Sequence, residues 1–271
     1  MSRVYFKIGA LILFSLVLLS GCSGEQKLLS IWTNQQIKID GETSDWQNNL
    51  KYLKDDNVAL GIKNDNNFLY ICLTTNDFTK VFPMLRGGFI AWFEPENGGK
   101  TIGIKYPIHN TSNNNQVPNS SEEIYNRQNP GEFINRMLAK QNELQILNED
   151  KLLLTDMPIK NNEGIEAKLG YNSDRFVYEL KVPLSDSKYA YKLSAVPGEK
   201  LKIKFETEEP ERKNLGKERE GGMRMSGGEE GERGEFGGER SEGGRRFGMR
   251  NGGRDSFAPL NFSVEVTLKK E

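Results

Sequence analysis

Histidine and cysteine are almost missing from this chain, which has one histidine, His109, and two cysteines, Cys22 and Cys72, in 271 residues. That scarcity removes whole classes of chemistry. A nucleophile needs a positioned base, and a lone histidine in a polar loop beside Asn110 supports no Ser-His-Asp or Cys-His set. No zinc-type spacing of ligands occurs, and two cysteines cannot form a disulfide framework. An excess of charge is missing too: 37 Lys and Arg against 38 Asp and Glu leave a net charge of −1, too little to draw nucleic acid or an anionic membrane surface by field alone. A membrane-spanning run is also lacking. Residues 8–19 are apolar, but a helix of that length covers under ~20 Å of a ~30 Å hydrocarbon core.

That short apolar run has another use. Arg3 and Lys7 precede it as a positive n-region, and it ends at Leu19-Ser20-Gly21-Cys22, the arrangement of a secretory h-region with small residues before its cleavage site. The four residues resemble the bacterial lipoprotein signal. The resemblance implies export, removal of residues 1–21, acylation of the Cys22 thiol, and a mature chain held at a bacterial membrane by lipid, facing the periplasm or the exterior. Cys72 then has no intramolecular partner. It sits within the apolar run 68–74 and reads as a small packed hydrophobe rather than a reactive thiol.

Beyond Cys22 the chain is dominated by a periodicity of two. Residues 22–36 are mostly polar, a tether with a short apolar patch at Leu28, Ile31 and Trp32. Residues 37–39 alternate into a turn in which Gly41 takes positive φ without steric cost, followed by Trp46. Residues 58–63 and 68–74 alternate on either side of the turn-forming 64–67, the pattern of a β-hairpin. Residues 89–93 and 101–106 form a second pair, apolar on both faces and therefore central or covered. Residues 108–128 are rich in Asn and Ser and carry no period. Asn129, Pro130 and Glu132 then open an amphipathic helix, expected to run to about Leu147 and to lie over part of the sheet. Strand patterns return at 151–155, 165–171, 176–184, 201–205 and 262–268, with Pro183 ending the ladder of its strand. The fold class is all-β: an antiparallel β-sandwich over 37–208 and 256–271 with one minor helix.

Residues 209–255 interrupt that domain before its last strand. They hold 14 of the 28 glycines, 11 Lys or Arg, 11 Asp or Glu, and only six large apolar side chains. Ordering each residue costs roughly 1 to 2 kcal/mol, which so little apolar surface cannot offset, so the insert is expected to be disordered. Its Gly-Gly-Arg steps do not make a nucleic-acid tract, because glutamates cancel the charge.

Three blocks together resemble the family 9 carbohydrate-binding module and its wider β-sandwich relatives: Ile39-Asp40-Gly41 with Asp45-Trp46, residues 58–77 with Leu69-Tyr70, and residues 176–184 with Tyr178-Glu179 and Pro183-Leu184. The resemblance implies the sandwich, with Trp46 packed in its core. Sugar-binding members clamp a sugar ring between two exposed tryptophans. Both positions are vacant here, since Pro83-Met84-Leu85-Arg86 stands before the strand that would follow the first, and the insert, which has no tryptophan, replaces the late loop. Some relatives bind haem through a methionine and a lysine. Met84 could supply the first, but no spacing selects the second, and no cofactor is expected.

Trp92 is out of phase with Phe89, Ala91 and Phe93, so it faces away from the core those three enter. It either lies covered by the helix from Glu132, the arrangement expected here, or forms a stacking platform with Tyr106 as its nearest aromatic companion. Trp92 and Tyr106 are thus the candidate ligand-binding residues, and Cys22 is the candidate lipidation site. The carboxylates of Asp40, Asp45, Asp55, Asp56 and Asp65 lie near turns and suit turn formation better than calcium, so no metal is expected. The function these features imply is a lipid-anchored extracytoplasmic binding module, not an enzyme. Its leading ligand class, by resemblance, is carbohydrate. The alternative is a structural or assembly lipoprotein of the envelope with no small ligand. The partners are a membrane through the anchor, then polysaccharide or envelope proteins, and no nucleic acid.

Overall fold

Each alternating run must bury one face and pair its backbone groups, and two sheets laid face to face satisfy both demands. The computed structural model of this chain describes residues 26–108, 130–185, 187–208 and 259–271. The candidate lipidation site Cys22, His109 and the insert 209–255 lie outside the described residues.

The first sheet has seven strands, in the order β1 (Gln26–Leu29), β13 (Asn261–Thr267), β12 (Lys200–Thr207), β6 (Phe89–Pro95), β7 (Ile102–Lys105), β8 (Glu143–Asn148) and β9 (Leu153–Pro158). The second runs β10 (Glu166–Asn172), β11 (Arg175–Pro183), β5 (Phe68–Thr75), β4 (Val58–Asn64), with β2 (Ile31–Trp32) and β3 (Lys51–Leu53) sharing the far edge of β4. The two expected hairpins, β4–β5 and β6–β7, form as the turn chemistry indicates.

Between the sheets lies one core. Leu69, Ile71 and Leu73 enter it from β5, Phe89, Ala91 and Phe93 from β6, and Tyr178 and Leu180 from β11. Phe89 stands edge-on to Tyr178 at 5.3 Å between ring centroids and stacks on Phe205 at 5.9 Å. Each such side chain contributes about 1.5 to 3 kcal/mol by leaving water.

Four sequence expectations change. Residues 37–39 are not a strand: Asp45 accepts from Lys38 N–H at 2.9 Å, and Glu179 holds the next residue by accepting from Asp40 N–H at 2.9 Å. The helix, α2 (Pro130–Leu138), stops nine residues short of Leu147. Leu144 and Ile146 beyond it are core residues of β8, where a period of two serves them as well as a helical one. A helix with no counterpart in the strand pattern, α1 (Phe78–Gly87), is capped by Asp77, whose carboxylate accepts from Thr79 N–H at 3.0 Å. Finally, the sandwich is not wholly antiparallel. Gln26–Trp32, read as tether, pairs in parallel with β13 through β1 and with β4 through β2.

That N-terminal strap closes one narrow side of the sandwich. Between its two strands Ser30 is buried, and its hydroxyl bonds the Asn64 side-chain oxygen. The same Asn64 oxygen and the Ser30 hydroxyl both accept from Lys269 N–H, at 3.0 and 2.8 Å, while the Asn64 amide donates to Lys269 C=O at 3.0 Å. One fully buried side chain therefore joins both sheets and both ends of the folded domain. Asn64→Ala strands these groups and should cost about 2–3 kcal/mol in urea denaturation at unchanged m-value. A loss under about 0.5 kcal/mol would show the strap to be held by its ladder alone.

Candidate functional site

A carboxylate, an indole and three glycines meet at one place on the second sheet. On the outer face of the second sheet Glu179 is wholly buried. Its Oε1 accepts from Trp46 Nε1 at 2.7 Å, and its Oε2 accepts from Gly41 N–H at 2.7 Å and Asp40 N–H at 2.9 Å. Gly41 sits at φ +83°, and its loop lies flat against β10 at Gly170, where a side chain on Gly170 would come within 1.9 Å of the Gly41 carbonyl. Trp46 lies on Gly61, whose missing side chain would meet the ring at 2.8 Å. Lys63 stands over the indole at 5.4 Å and donates to Asp45 C=O at 2.7 Å. Around them Ile37, Tyr70, Cys72 and Val177 form a second small core.

Burial pushes the Glu179 carboxyl up to about 7, against the pull of the three N–H donors toward the ionised form. Burial likewise pushes the Cys72 thiol up, which makes it inert, as the strand pattern implies.

The clamp places residues 42–44 beside the β10–β11 turn, and between them is an open depression of about 390 Å³. Glu42, Thr43, Ser44, Asn172, Ser173 and Arg175 line it, over Val177. The turn holds two non-glycine residues in the left-handed region, Ser173 at φ +50° and Asp174 at φ +57°. Asp174 is braced there by Tyr171, whose hydroxyl donates to its carboxylate at 2.9 Å. Ser173 and Asp174 are the central residues of the two-residue β10–β11 hairpin, whose type I′ turn takes positive φ at each of them and so fixes the shape of this wall.

The sequence-derived candidates lie elsewhere. Trp92 does face away from the main core, with Ile90 and Leu147, but it is only 4% exposed. Its ring fills the space over Gly103 on the neighbouring strand, where a side chain would come within 2.6 Å, and its N–H donates to Glu206 at 3.2 Å. Lys151 and Lys204 hold the same carboxylate at 2.8 and 3.1 Å. Trp92 is thus covered, by Gly103 and Leu147 rather than by the helix, which packs along β10 instead, with Asn135 donating to Tyr171 C=O at 3.2 Å. Tyr106 is not its companion. It is fully buried on the opposite face, in the main core beside Tyr178, because it shares the phase of Ile102 and Ile104. Met84 is fully buried in that core as well. Of the turn carboxylates, Asp40 accepts from Glu42 N–H at 3.0 Å and Asp65 from Asn67 and Phe68 N–H at 2.7 Å each, so they shape turns. What sequence reasoning missed is Glu179 and Arg175. A glutamate interrupting the apolar run 176–184 was the available signal.

No family model matches this chain, and no curated protein matches it. Solved structures do. A family 9 carbohydrate-binding module from Caldicellulosiruptor kristjanssonii in complex with glucose is similar at 12% identity over 68% of this chain and 79% of its own, with a TM-score of 0.34. The same module with cellotriose gives 12%, 68%, 77% and 0.34. A carbohydrate-binding protein, so titled provisionally, from Bacteroides uniformis gives 10%, 68%, 84% and 0.36.

Two measurements check these placements. Trp92→Ala should cost about 3 to 5 kcal/mol, the penalty for truncating a buried tryptophan, where an exposed platform would lose under about 1 kcal/mol. The raised Glu179 carboxyl makes the folded state hold a proton that the unfolded chain releases near its ordinary value of 4.5. Stability from this group is therefore full below pH 4.5 and is lost as pH rises through 7, about 2–3 kcal/mol between pH 5 and pH 8. Denaturation at the two values should show that fall in the wild type and not in Glu179→Gln. An equal fall in both would assign the dependence to another group.

Proposed function

We propose that this chain is a lipid-anchored, extracytoplasmic, non-catalytic binding module whose ligand, a carbohydrate, sits in the depression between residues 42–44 and the β10–β11 turn. The observation that carries this reading is the convergence there of hydroxyl, amide, carboxylate and guanidinium groups on about 390 Å³ of open space, within the size range of small-ligand sites. Ring hydroxyls both donate and accept. Glu42 accepts, Arg175 donates through a planar fork, and Thr43, Ser44, Ser173 and Asn172 do either. Val177, almost fully buried in the small core beneath, closes the floor. With no exposed aromatic against it, such a site binds weakly, in keeping with the absent tryptophan clamp. Glu42 is the one carboxylate among its lining residues, which favours binding over glycoside hydrolysis, where two are needed. The anchor reading rests on Leu19-Ser20-Gly21-Cys22.

A second reading, contact with another envelope protein, is favoured by one observation. Leu152, Leu153 and Leu154 are 62%, 51% and 51% exposed at β9, the edge strand of its sheet among the described residues, where a strand from a partner could add.

A glycan array on the soluble exported chain tests the proposal. At least one oligosaccharide should bind, and Arg175→Ala should weaken it about tenfold, or 1.4 kcal/mol, without moving the melting transition. Binding to no glycan would sink the carbohydrate reading and leave the second. Binding indifferent to Arg175→Ala would move the site.

A further inference from the structure

The strap carries a feature that the core does not require. Along Gln26–Trp32 the alternation turns Leu28 and Ser30 inward and leaves Lys27, Leu29 and Ile31 outside. The Lys27 side chain is 74% exposed, with its ammonium 3.6 Å from Glu265, a carboxylate that Lys200 also holds at 3.1 Å; Leu29 is 58% exposed and Ile31 40%. Beside Ile31 on the same edge of β4 is β3, with Tyr52 59% exposed, and exposed Lys269 is held against Ser30 through its backbone. Two branched apolar residues and a tyrosine with lysines at their margin are the side chains that settle at a lipid–water interface, rings and aliphatic tips inward and ammonium groups at the headgroups.

Position makes the surface specific. Gln26, the first residue of β1, is four residues from Cys22. Fully extended, four residues reach about 14 Å, while headgroups occupy about 5 to 7 Å of each leaflet. A chain acylated at Cys22 therefore keeps the start of the strap within about 9 Å of the headgroup layer. The competing apolar patch, Leu152 to Leu154, lies at the opposite edge of the same seven-stranded sheet, six interstrand spacings or about 29 Å away.

We propose that the edge formed by Leu29, Ile31 and Tyr52 docks on the lipid bilayer, so that the domain is held in a fixed orientation with the β9 edge turned away from the membrane. This rests on the anchor reading above. It adds that the anchored domain lies on the bilayer and does not swing free on its tether.

Trp32 is a built-in reporter. It is half-buried on the strap, with its indole N–H donating to Asn34 at 2.8 Å, while Trp46 and Trp92 are enclosed. The full chain, purified from bacterial membranes, is reconstituted into phosphatidylcholine–phosphatidylglycerol vesicles with brominated or plain acyl chains, and intact mass is measured alongside. The expected result is a diacylglyceryl mass on Cys22, bromine quenching of the emission, disappearance of the quenched component in Trp32→Phe, and a several-fold smaller quench when Leu29→Gln and Ile31→Gln are combined. A Cys22 lipid with no quenching overturns the docking and leaves the anchor intact. Quenching that survives Trp32→Phe and is lost in Trp92→Phe places the outer face of the seven-stranded sheet on the bilayer and also overturns it. An unmodified Cys22 removes the anchor reading and the docking together.

Discussion

A single carboxylate with no access to water holds the outer layer of this sandwich in place. Glu179 is the only acceptor that meets Asp40 N–H, Gly41 N–H and the Trp46 indole together, and these donors belong to a segment with no ladder of its own. Because residues 37–39 have no strand partner, their attachment to the second sheet depends on this carboxylate, on Asp45 and on the apolar contacts of Ile37 and Trp46. Buried polar groups of this kind specify geometry strongly, since any other placement of the loop leaves three donors and two oxygens unsatisfied. The glycines are the steric counterpart. Gly41, Gly61 and Gly170 let backbone and indole come closer than a side chain would permit, so the hydrogen bonds reach their short distances without distorting the sheet.

The depression proposed as the ligand site follows from the same constraint. Residues 42–44 form one wall because the two residues before them are pinned, and Arg175 and Val177 form the other because they lie on the strand that carries Glu179. A loop fixed from beneath by a buried acid loses little freedom when a ligand arrives, and a preorganised site spends less of its contact energy on ordering. Weak contacts with hydroxyl groups can then still give useful selectivity.

Most of the strand ladder was legible in the sequence because a period of two is a direct signature of one buried face, and both hairpins carried their own turn residues. The helix α1 was not, since ten residues with Pro83 inside give a short and interrupted signal, and its stability comes from Phe78, Val81, Phe82, Met84 and Leu85 entering the core. The over-long helix had a different cause. Leu144 and Leu147 satisfy a helical spacing from Met137 as well as a strand in β8, and only pairing with β7 decides between them. For the site, Asp40-Gly41 and Trp46 were legible as a motif, but their partner Glu179 is more than 130 residues away and belongs to a strand whose other members are apolar. Trp92 was placed on its correct face by phase. The same rule separates Tyr106 from it, since Trp92 aligns with Gly103 while Tyr106 continues the inward row of Ile102 and Ile104.

The parallel pairing of β1 with β13 has a mechanical meaning. Any pull transmitted through the N-terminal end of the chain enters the domain at Gln26, the start of a strand bonded to β13 over Gln26–Leu29. A pull along the strand axis loads that ladder in shear, all its bonds sharing the force, where an antiparallel hairpin pulled at its open end would yield one bond at a time. Behind the ladder the buried Ser30 and Asn64 act as a stop, passing the load to both sheets at once. The first element of the domain can thus act as a strain relief: tension arriving at Gln26 is spread across the sandwich before it can reach the loop that Glu179 holds.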